Sequence, residues 1–563
     1  MPDSIQSLRS KRDAVLEQMK QIDHLRRGSL SRQFFKTRRD GKVIESGPYF
    51  VLQCSFKGKK CSERIAAADA GQVEKHVENF RLFNGLAEEF ITLSDQITQL
   101  ECVAGDSKKK RLESTECQEE RFKETQAFVA LVQRQWAHQG VNNLEAVELG
   151  LRHALLQDGR ALLEQLVQSV ADGPTEAQAR KGEKCHAGRP RGAQTIFGPI
   201  ELKRDYLYSP KDKQGRCPLD EALGLIDGAS PGLVRLASRA AAREGFQAAS
   251  DDLKELAGIQ IDGRQIQRLV AHSGPMIAAQ LKLTGPQVES KPMPICYVEA
   301  DGTGIPMVAA ELEGRKGKQD DGTAKTREVK LGCVFSQTKT DEKGQPMRDH
   351  QSTSYVGTLE SVETFAPLLR DEARRRGIGK SQKIVFIGDG AAWIWELART
   401  HFPLAILILD FYHMMEYLHE LSQLLYGKDS SWSGRMKDQW KAQMERDEVQ
   451  AVIDALKTRT EQLEPVSPDT LKKIQEKIGY LENNKDKMLY GTFRQQGLFY
   501  GSGVVEAGCR AVIGKRLKQS GMFWSQDGAQ NVLALRCALM SNRWDECWNQ
   551  IHNSNQFQIR AAA

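Results

Sequence analysis

Apolar residues recur at three- and four-residue steps through much of the first part of the chain, and this period predicts amphipathic helices. The predicted helices cover residues 5–27, 70–101 and 118–171. Alternating positions on either side of Lys57-Gly58-Lys59 predict a β-hairpin between the first two helices. A second hairpin is predicted over residues 195–208, with its turn at Gly198-Pro199. A linker is predicted before it, over residues 172–194.

The pattern changes after residue 290, where short apolar runs alternate with helical periods. The predicted strands are residues 295–300, 304–309, 328–335, 351–356, 383–389 and 403–410. A helix over residues 359–376 leads into the strand at 383–389, as a crossover between parallel strands requires. Residues 411–490 and 503–550 are predicted to be helical. This order of elements predicts an α/β core that carries a long helical insertion.

The same pattern divides the chain into six regions. They are a helical and β-hairpin module (1–105), a helical region (106–180), a β-hairpin module (181–228), a helical region with the outline of a helix-turn-helix (229–290), the α/β core (291–410 and 491–545) and the helical insertion (411–490). The N-terminal half is therefore mostly helical with small β-hairpins, and we expect it to bind DNA and to self-associate.

Composition indicates a soluble globular protein, because 40% of the 563 residues are hydrophobic and 27% are charged. No apolar run approaches the ~20 residues that cross a bilayer. The first residues form a charged helical pattern and not a signal peptide. We therefore expect a cytoplasmic protein with access to nucleoid DNA and no membrane partner. The eleven cysteines contain no CxxC pair and are expected to be free thiols.

Three acidic residues occupy positions that suit metal-dependent chemistry. Asp301 and Asp389 each follow an apolar strand and precede a glycine, and Glu506 lies in a glycine-rich helix start. Carboxylates at strand ends can converge on hard cations, and two metals ~4 Å apart can stabilise both oxygens of phosphodiester exchange. The alternative is structural, because Asp-Gly is a common turn dipeptide. Two such pairs together with a helical glutamate favour the catalytic interpretation.

Asp410 and His413 form a fourth candidate feature. Asp410 follows another apolar strand, and a residue three positions further lies on the same helical face. The pair can be a carboxylate and an imidazole near a scissile phosphate, or a helix-capping Asp beside a partly buried His.

These residues resemble a known family. The resemblance rests on four blocks in order, which are Tyr297–Met307, Glu328–Gly332, Ile387–Trp395 and Asp410–His413. They are similar to bacterial insertion-sequence transposases of the ISKra type, within the RNase H-like group with an Asp-Asp-Glu catalytic set. The resemblance covers roughly residues 195–545 and implies an RNase H-like core. It also implies catalytic roles for Asp301, Asp389 and Glu506 with two Mg²⁺ (or Mn²⁺) ions.

The resemblance extends to other parts of the chain. The Asp-x-x-His signature of Mutator-like and hAT transposases falls on Asp410 and His413, and the insertion at 411–490 matches their organisation. The block from Arg27 to Leu52 resembles a small uncharacterised module found near or fused to such transposases. Relatives often have paired cysteines near residues 185–217. Here only Cys185, His186 and Cys217 remain, with Ser209 and Asp212 in place of a CxxC, so structural zinc is not expected.

Because the net charge is only +6, binding of a polyanion requires local basic patches. The candidate DNA contacts are Arg189, Arg191, Arg264, Arg268, Arg510, Lys515, Arg516 and Lys518. The first two are framed by glycines, as in a minor-groove clamp, and the next two lie on the second helix of the helix-turn-helix outline. The last four surround Glu506. Each of these can instead be a solvated charge. Trp524 and Phe523 are interpreted as core residues, with base stacking as the alternative.

The sequence therefore predicts a DNA transposase that cuts the ends of an insertion sequence and joins the 3′-hydroxyls to target DNA. Its partners would be double-stranded terminal repeats and target DNA, and synapsis of two ends implies a homodimer or higher oligomer. The alternatives are a structure-specific nuclease of the same fold and a domesticated DNA-binding regulator. A zinc-dependent binding module lacks ligands.

Overall fold

A computed structural model describes most of the chain. The described residues are 5–39, 42–56, 59–104, 122–171, 180, 182–282, 294–315, 317, 324–428, 430–463 and 467–552. The predicted hairpin turn at Lys57-Gly58, the first residues of the helix predicted over 118–171 and the first part of the predicted linker over 172–194 lie outside them. The chain divides into two compact units, Met1–Ala127 and Phe128–Ala563.

Unit 1 contains a three-stranded antiparallel sheet, with one helix before it and one helix after it in the chain. In chain order its elements are α1 (Ile5–Lys20), β1 (Ser29–Arg39), β2 (Lys42–Phe56), β3 (Lys59–Ile65) and α2 (Ala70–Ala104). One face of the sheet packs on the start of α2, where Leu52 and Ile65 meet Val73 and Val77. A second cluster joins α1 to α2 through Leu8, Val15, Leu86 and Leu93. Strand β1, whose sequence SLSRQFFKTRR is rich in basic residues, was not predicted.

Two long helices and a second small sheet follow. They are α3 (Lys123–Gln139), α4 (Leu144–Ala171), β4 (Lys184–Thr195), β5 (Gly198–Ser209) and β6 (Gln214–Arg216). The helix predicted over 118–171 is interrupted because Gly140 and Asn143 have positive φ. All of β4 except its last residue lies within the predicted linker. The hairpin turn is Ile196-Phe197 and not Gly198-Pro199. The register explains this, since Thr195 pairs with Gly198 and the Thr195 hydroxyl donates to the Gly198 carbonyl at 2.7 Å.

Four helices lead into the core. They are α5 (Pro218–Ala222), α6 (Pro231–Arg243), α7 (Phe246–Ala257) and α8 (Gly263–Lys282). The helix-turn-helix outline is present as α7 and α8, with left-handed Gly258 ending α7. A Cβ at Gly274 would lie 2.5 Å from the Asn531 Cβ, so only glycine permits this close approach. The second helix is thus packed into the core of unit 2.

The centre of unit 2 is a five-stranded mixed sheet. Its strands are β7 (Ile295–Pro306), β8 (Thr326–Gln337), β11 (Ser354–Thr358), β12 (Lys383–Gly388) and β13 (Ile406–Leu409), and β9 (Lys339–Thr340) with β10 (Pro346–Met347) form a separate ladder. The order is β11-β8-β7-β12-β13. Neighbours on the β11–β7 side are antiparallel, and β12 runs parallel to both β7 and β13. The predicted mixed α/β class is confirmed.

The strands predicted at 295–300 and 304–309 are one strand. Pairing with β8 continues through Gly302 and Gly304, opposite Lys330 and Glu328. A glycine permits but does not force a turn, and here the ladder to β8 decides the conformation.

Helices surround this sheet. They are α9 (Val362–Arg375), α10 (Ala392–His401), α11 (Phe411–Tyr426), α12 (Ser431–Met444), α13 (Val449–Glu461), α14 (Pro468–Asn484), α15 (Tyr490–Gln495), α16 (Gly503–Gly508), α17 (Lys515–Leu517), α18 (Gln526–Met540) and α19 (Trp544–His552). The insertion comprises α11–α14, and its buried residues belong to the same hydrophobic cluster as the sheet. None of the described helices is long and apolar enough to cross a membrane.

Candidate active site

Asp301 lies inside β7, just beyond the last residue that pairs with β12, which is Glu299. The predicted position was at the end of a strand, but β7 continues to Pro306. Its Oδ1 accepts from the backbone N–H of Gly302 at 2.7 Å, and its Oδ2 accepts from the Cys509 thiol at 3.3 Å. Burial raises the pKa of the Asp301 carboxyl, and the negative charges of Asp389 and Glu506 raise it further.

Asp389 directly follows β12 and shapes the loop that leads into α10. Its Oδ1 accepts from the backbone N–H of Ala391 at 3.0 Å. Its own carbonyl accepts from the Tyr480 hydroxyl at 2.7 Å, so helix α14 of the insertion holds this loop. Gly390 has a φ of +96°, and a Cβ there would lie 2.1 Å from that hydroxyl. The local structure therefore requires glycine after Asp389.

Glu506 lies on α16, and its side chain is 47% exposed. Its Oε1 accepts from the Ser502 hydroxyl at 3.0 Å, and the Arg510 Nη2 lies 3.7 Å from its Oε2. The helix continues as a widened π-helical turn over Cys509–Gly514 before α17. Turns of this kind occur frequently at functional sites, because they redirect side chains within one helix.

The three carboxylates thus come from β7, the loop after β12 and α16. The parallel pairing of β7 with β12 explains why Asp301 and Asp389 lie at one edge of the sheet. Hard oxygen donors of this kind fit Mg²⁺ or Mn²⁺. However, among the described residues no three His, Cys, Asp or Glu side chains form a group that could hold a metal ion. The charges of Asp389 and Glu506 both act on Asp301. Glu506 itself accepts from Ser502 and lies 3.7 Å from the Arg510 guanidinium.

Asp410 is completely buried and caps the start of α11. Its Oδ1 accepts from the backbone N–H of His413 at 2.6 Å, and its Oδ2 accepts from the backbone N–H of Ser502. The His413 Nδ1 instead lies 3.7 Å from Glu416 Oε2, and the ring contacts Tyr417. The structure thus shows the capping arrangement for Asp410, while the imidazole of His413 remains one-third exposed beside it.

Glu299 is a further carboxylate at this site that the sequence analysis missed. It is fully buried, and its Oε2 accepts from the backbone N–H of Val505 at 2.7 Å. Among the residues that the structure describes, none is a hydrogen-bond partner of its Oε1. Glu299 and Asp410 together anchor the residues at the beginning of α16, which carries Glu506. The period-two alternation with Asp301 was the available signal, because both lie on one face of β7.

The basic residues near Glu506 divide into two kinds. Arg510, Lys515 and Lys518 are exposed, and the Lys518 ammonium donates to the Thr303 hydroxyl on β7, two residues after Asp301. Arg516 is fully buried, which corrects its assignment as a DNA contact. Its guanidinium lies 5.0 Å from the ring centroids of both Phe246 and Trp524. Burial lowers its pKa to about 10.

The two aromatic candidates also differ. Trp524 is buried, as the core interpretation predicted, and its indole N–H donates to the Leu517 carbonyl at 3.0 Å. Phe523 is 67% exposed and does not belong to the core.

The remaining predicted DNA contacts lie on other elements. Arg189 and Arg191 are exposed on β4, and not in a linker. Arg264 and Arg268 are exposed on α8, where the Arg268 Nε pairs with Asp227 at 3.1 Å. These four positions are accessible on elements separate from the acidic cluster.

Residues 185–217 cover the region where relatives often have paired cysteines. The Ser209 hydroxyl donates to Asp212 at 2.8 Å. Cys185 is exposed and Cys217 is buried. Burial raises the pKa of the Cys217 thiol, which disfavours the thiolate that zinc requires.

The fold is a mixed α/β structure in which Asp301 and Asp389 lie at one edge of the central sheet, and Glu506 lies on helix α16, which contacts β7. The chain belongs to the uncharacterised protein family UPF0236, whose model matches residues 137–546 and therefore includes the whole cluster. Among solved structures, the chain is similar to the Drosophila P element transposase strand transfer complex, at 11% identity and a TM-score of 0.27. That match covers 54% of this chain and 91% of the other. No curated protein matches.

Proposed function

We propose that the chain is a DNA transposase with an RNase H-like catalytic core. Asp301, Asp389 and Glu506 would hold two Mg²⁺ or Mn²⁺ ions. The observation that supports this most directly is that Asp301 and Asp389 follow the paired parts of the parallel strands β7 and β12, at one edge of the sheet. The charges of Asp389 and Glu506 add to the effect of burial, which raises the pKa of Asp301. The order and spacing of the blocks that resemble insertion-sequence transposases support it independently.

When bound, the ions would activate the attacking water or 3′-hydroxyl and stabilise the leaving oxygen of the phosphodiester. The chain's own residues would position and neutralise the DNA. Arg510 and Lys518 place exposed positive charge beside Glu506 and Asp301, where a phosphate backbone requires it. His413, with its partly exposed imidazole, would contact a flanking phosphate. Asp410 holds the backbone of Ser502 just before α16, Glu299 holds the backbone of Val505 within α16, and the two together position Glu506.

The test is a cleavage assay on a labelled duplex that carries the ends of the chain's own element, with Mg²⁺ or with EDTA. The variant is Asp389→Asn, because an amide oxygen can still accept from the Ala391 N–H. We expect about a 10³-fold loss of cleavage, in line with the several kcal/mol that a metal site supplies. DNA binding should remain close to that of the wild type.

The matched control is Glu396→Gln, an exposed carboxylate on α10 that pairs with Arg399. It removes the same charge near the same loop and should cleave as the wild type does. Full cleavage by Asp389→Asn would exclude the proposed role of this residue. Cutting without joining would identify a nuclease instead, and binding without cutting in the wild type would identify a DNA-binding regulator.

A further inference from the structure

The β1–β2 pair of unit 1 extends beyond the third strand. Strand β3 pairs with residues 50–56 of β2, whereas residues 35–39 of β1 pair with residues 42–46 of β2 on their own. We call this two-stranded extension the ribbon. A register irregularity between Gln33 and Phe35 separates it from the three-stranded part of the sheet. Such irregularities bend a strand and redirect the segment beyond them.

Positive charge is concentrated on and around the ribbon. The described positions between residues 26 and 65 contain ten Lys or Arg and two Asp or Glu, a balance of +8. This exceeds the +6 of the entire chain, so the rest of the protein is close to neutral or acidic. The ribbon itself carries Lys36, Arg38, Arg39 and Lys42 against Glu45. An anionic partner would complement the positive charge that the sequence gives this segment.

The adjoining helix has the opposite charge. Helix α2 contains two basic and six acidic residues, so unit 1 separates its charges by element. Helix α2 also covers the inner face of the sheet through Val73 and Val77. Arg32, at the base of the ribbon, lies 3.9 Å from Glu74 of α2, and both side chains are more than half exposed. An ion pair this exposed contributes little, so Arg32 can exchange it for a phosphate.

We propose that the ribbon enters the major groove of duplex DNA. Two strands lie ~4.8 Å apart, and five residue pairs span ~17 Å. The major groove of B-DNA is ~12 Å wide and admits a two-stranded ribbon. The choice of DNA rests on the proposed function, while the ribbon is a contact separate from the acidic cluster.

The test uses the full chain in EDTA, so that binding is measured without cleavage. The ribbon variant is Lys36→Ala/Arg38→Ala/Arg39→Ala, and the probe is a fluorescent 30-base-pair DNA duplex followed by anisotropy at several salt concentrations. Loss of three phosphate contacts should weaken binding by about 100-fold at 0.1 M salt and reduce the slope of log K against log salt by about 2.7. A conservative variant, Lys36→Arg/Arg38→Lys/Arg39→Lys, should restore both values.

The matched control is Lys20→Ala/Lys75→Ala/Arg81→Ala, which removes the same charge from α1 and α2 of the same unit. It should change affinity by no more than a few-fold. Equal losses in the two variants would show a general effect of net charge and overturn the ribbon assignment. So would loss of affinity in the conservative variant, or unchanged binding in the ribbon variant.

Duplex RNA of the same length distinguishes groove entry from contact with phosphates alone. The major groove of A-form RNA is deep and narrow, so the ribbon cannot enter it. The ribbon variant should therefore lose little more affinity for duplex RNA than the control variant loses. An equal loss on RNA and DNA would overturn groove entry. Failure of this proposal would leave the cleavage result untouched, because the Asp389→Asn comparison concerns catalysis and not end binding.

Discussion

Glu299 shows how strongly a single buried group can influence this site. It is fully buried, and burial raises its pKa to about 8, with Asp410 and Glu506 contributing further negative charge. Its protonated form is therefore favoured in the folded state at pH 7. Its Oε2 accepts from the backbone N–H of Val505 and from the Cys333 thiol. Its Oε1 has no partner among the described residues and is where a proton would be carried. Charging this group in the folded state would place an uncompensated carboxylate in the core.

Glu299→Gln should change how stability depends on pH. Between about pH 4.5 and pH 8 the unfolded state loses the Glu299 proton while the folded state keeps it, so the wild type becomes less stable as pH rises. Glutamine does not titrate, and its amide oxygen can still accept from Val505. The variant should therefore gain stability relative to the wild type from pH 5 to pH 8.

Urea unfolding in EDTA at several pH values measures this difference, with Glu396→Gln as the exposed control. Identical pH dependence of Glu299→Gln and the wild type would show that Glu299 is already ionised in the folded protein.

At the scale of single residues, the sequence offers a turn at Asp389 and a helix cap at Asp410 as alternatives to their catalytic roles, and the structure shows both local arrangements. The turn after Asp389 and the cap at Asp410 both depend on atoms two or three residues away. The prediction for Arg516 was wrong, because its position among other basic residues in the sequence suggested a contact with DNA. Its partners, the Ala241 carbonyl and the Phe246 ring, come from far earlier in the chain. Only the tertiary packing of α6 and α7 against α17 decides that this side chain is buried.

Helix α14 of the insertion contacts the loop that carries Asp389. Tyr480 of α14 donates to the carbonyl of Asp389 and stacks on Tyr417 of α11, with ring centroids 4.2 Å apart. The Lys477 ammonium lies 4.1 Å from the Tyr417 centroid, which adds a cation–π contact. The insertion thus holds the loop that follows β12.

Tyr480→Phe removes the hydroxyl and keeps the stacked ring. We expect the free energy of unfolding to fall by about 1 kcal/mol, because one hydrogen bond to a partly buried carbonyl is lost. Strand cleavage should fall by about tenfold if the loop sets the position of Asp389, since each 1.4 kcal/mol changes a rate by that factor.

Urea denaturation and the cleavage assay measure the two effects of Tyr480→Phe, with Tyr417→Phe as the control in the same stack. A loss of stability without any loss of cleavage would restrict Tyr480 to a structural role.

The elements themselves were predictable to different degrees. The strands β12 and β13 are continuous apolar runs, which burial on both faces of a parallel strand requires. Strand β4 was predicted as linker, because its sequence, KCHAGRPRGAQT, has few apolar positions and its residues are mostly exposed. It is a strand because β5 pairs with it, and such pairing is not visible in the local pattern. Tertiary pairing likewise makes β7 one strand through two glycines.

At the scale of the whole molecule, the hydrophobic clusters follow the division into two units. The largest cluster runs from Ala229 to Trp548, and all residues of the candidate active site belong to unit 2. The two clusters of unit 1 contain only residues of α1, α2 and its sheet. Each unit therefore buries a core of its own, which is the physical condition for independent folding.

A fragment spanning residues 122–563 should consequently fold without unit 1. We expect one cooperative thermal transition within a few degrees of the corresponding transition of the full chain, because no buried cluster of unit 2 loses a member. At saturating DNA the fragment should cleave at the wild-type rate, since Asp301, Asp389 and Glu506 are all retained. At limiting DNA it should bind more weakly, because the ribbon and its charge are missing.

Calorimetry and the cleavage assay over a range of DNA concentrations measure both effects, with the Asp389→Asn form of the same fragment as the inactive control. A fragment that unfolds without cooperativity would show that unit 2 depends on unit 1 for its stability. A folded fragment that cannot cleave even at saturating DNA would place part of the active site in unit 1. Either result would replace the division proposed here, in which unit 2 carries the chemistry and unit 1 increases the affinity for DNA.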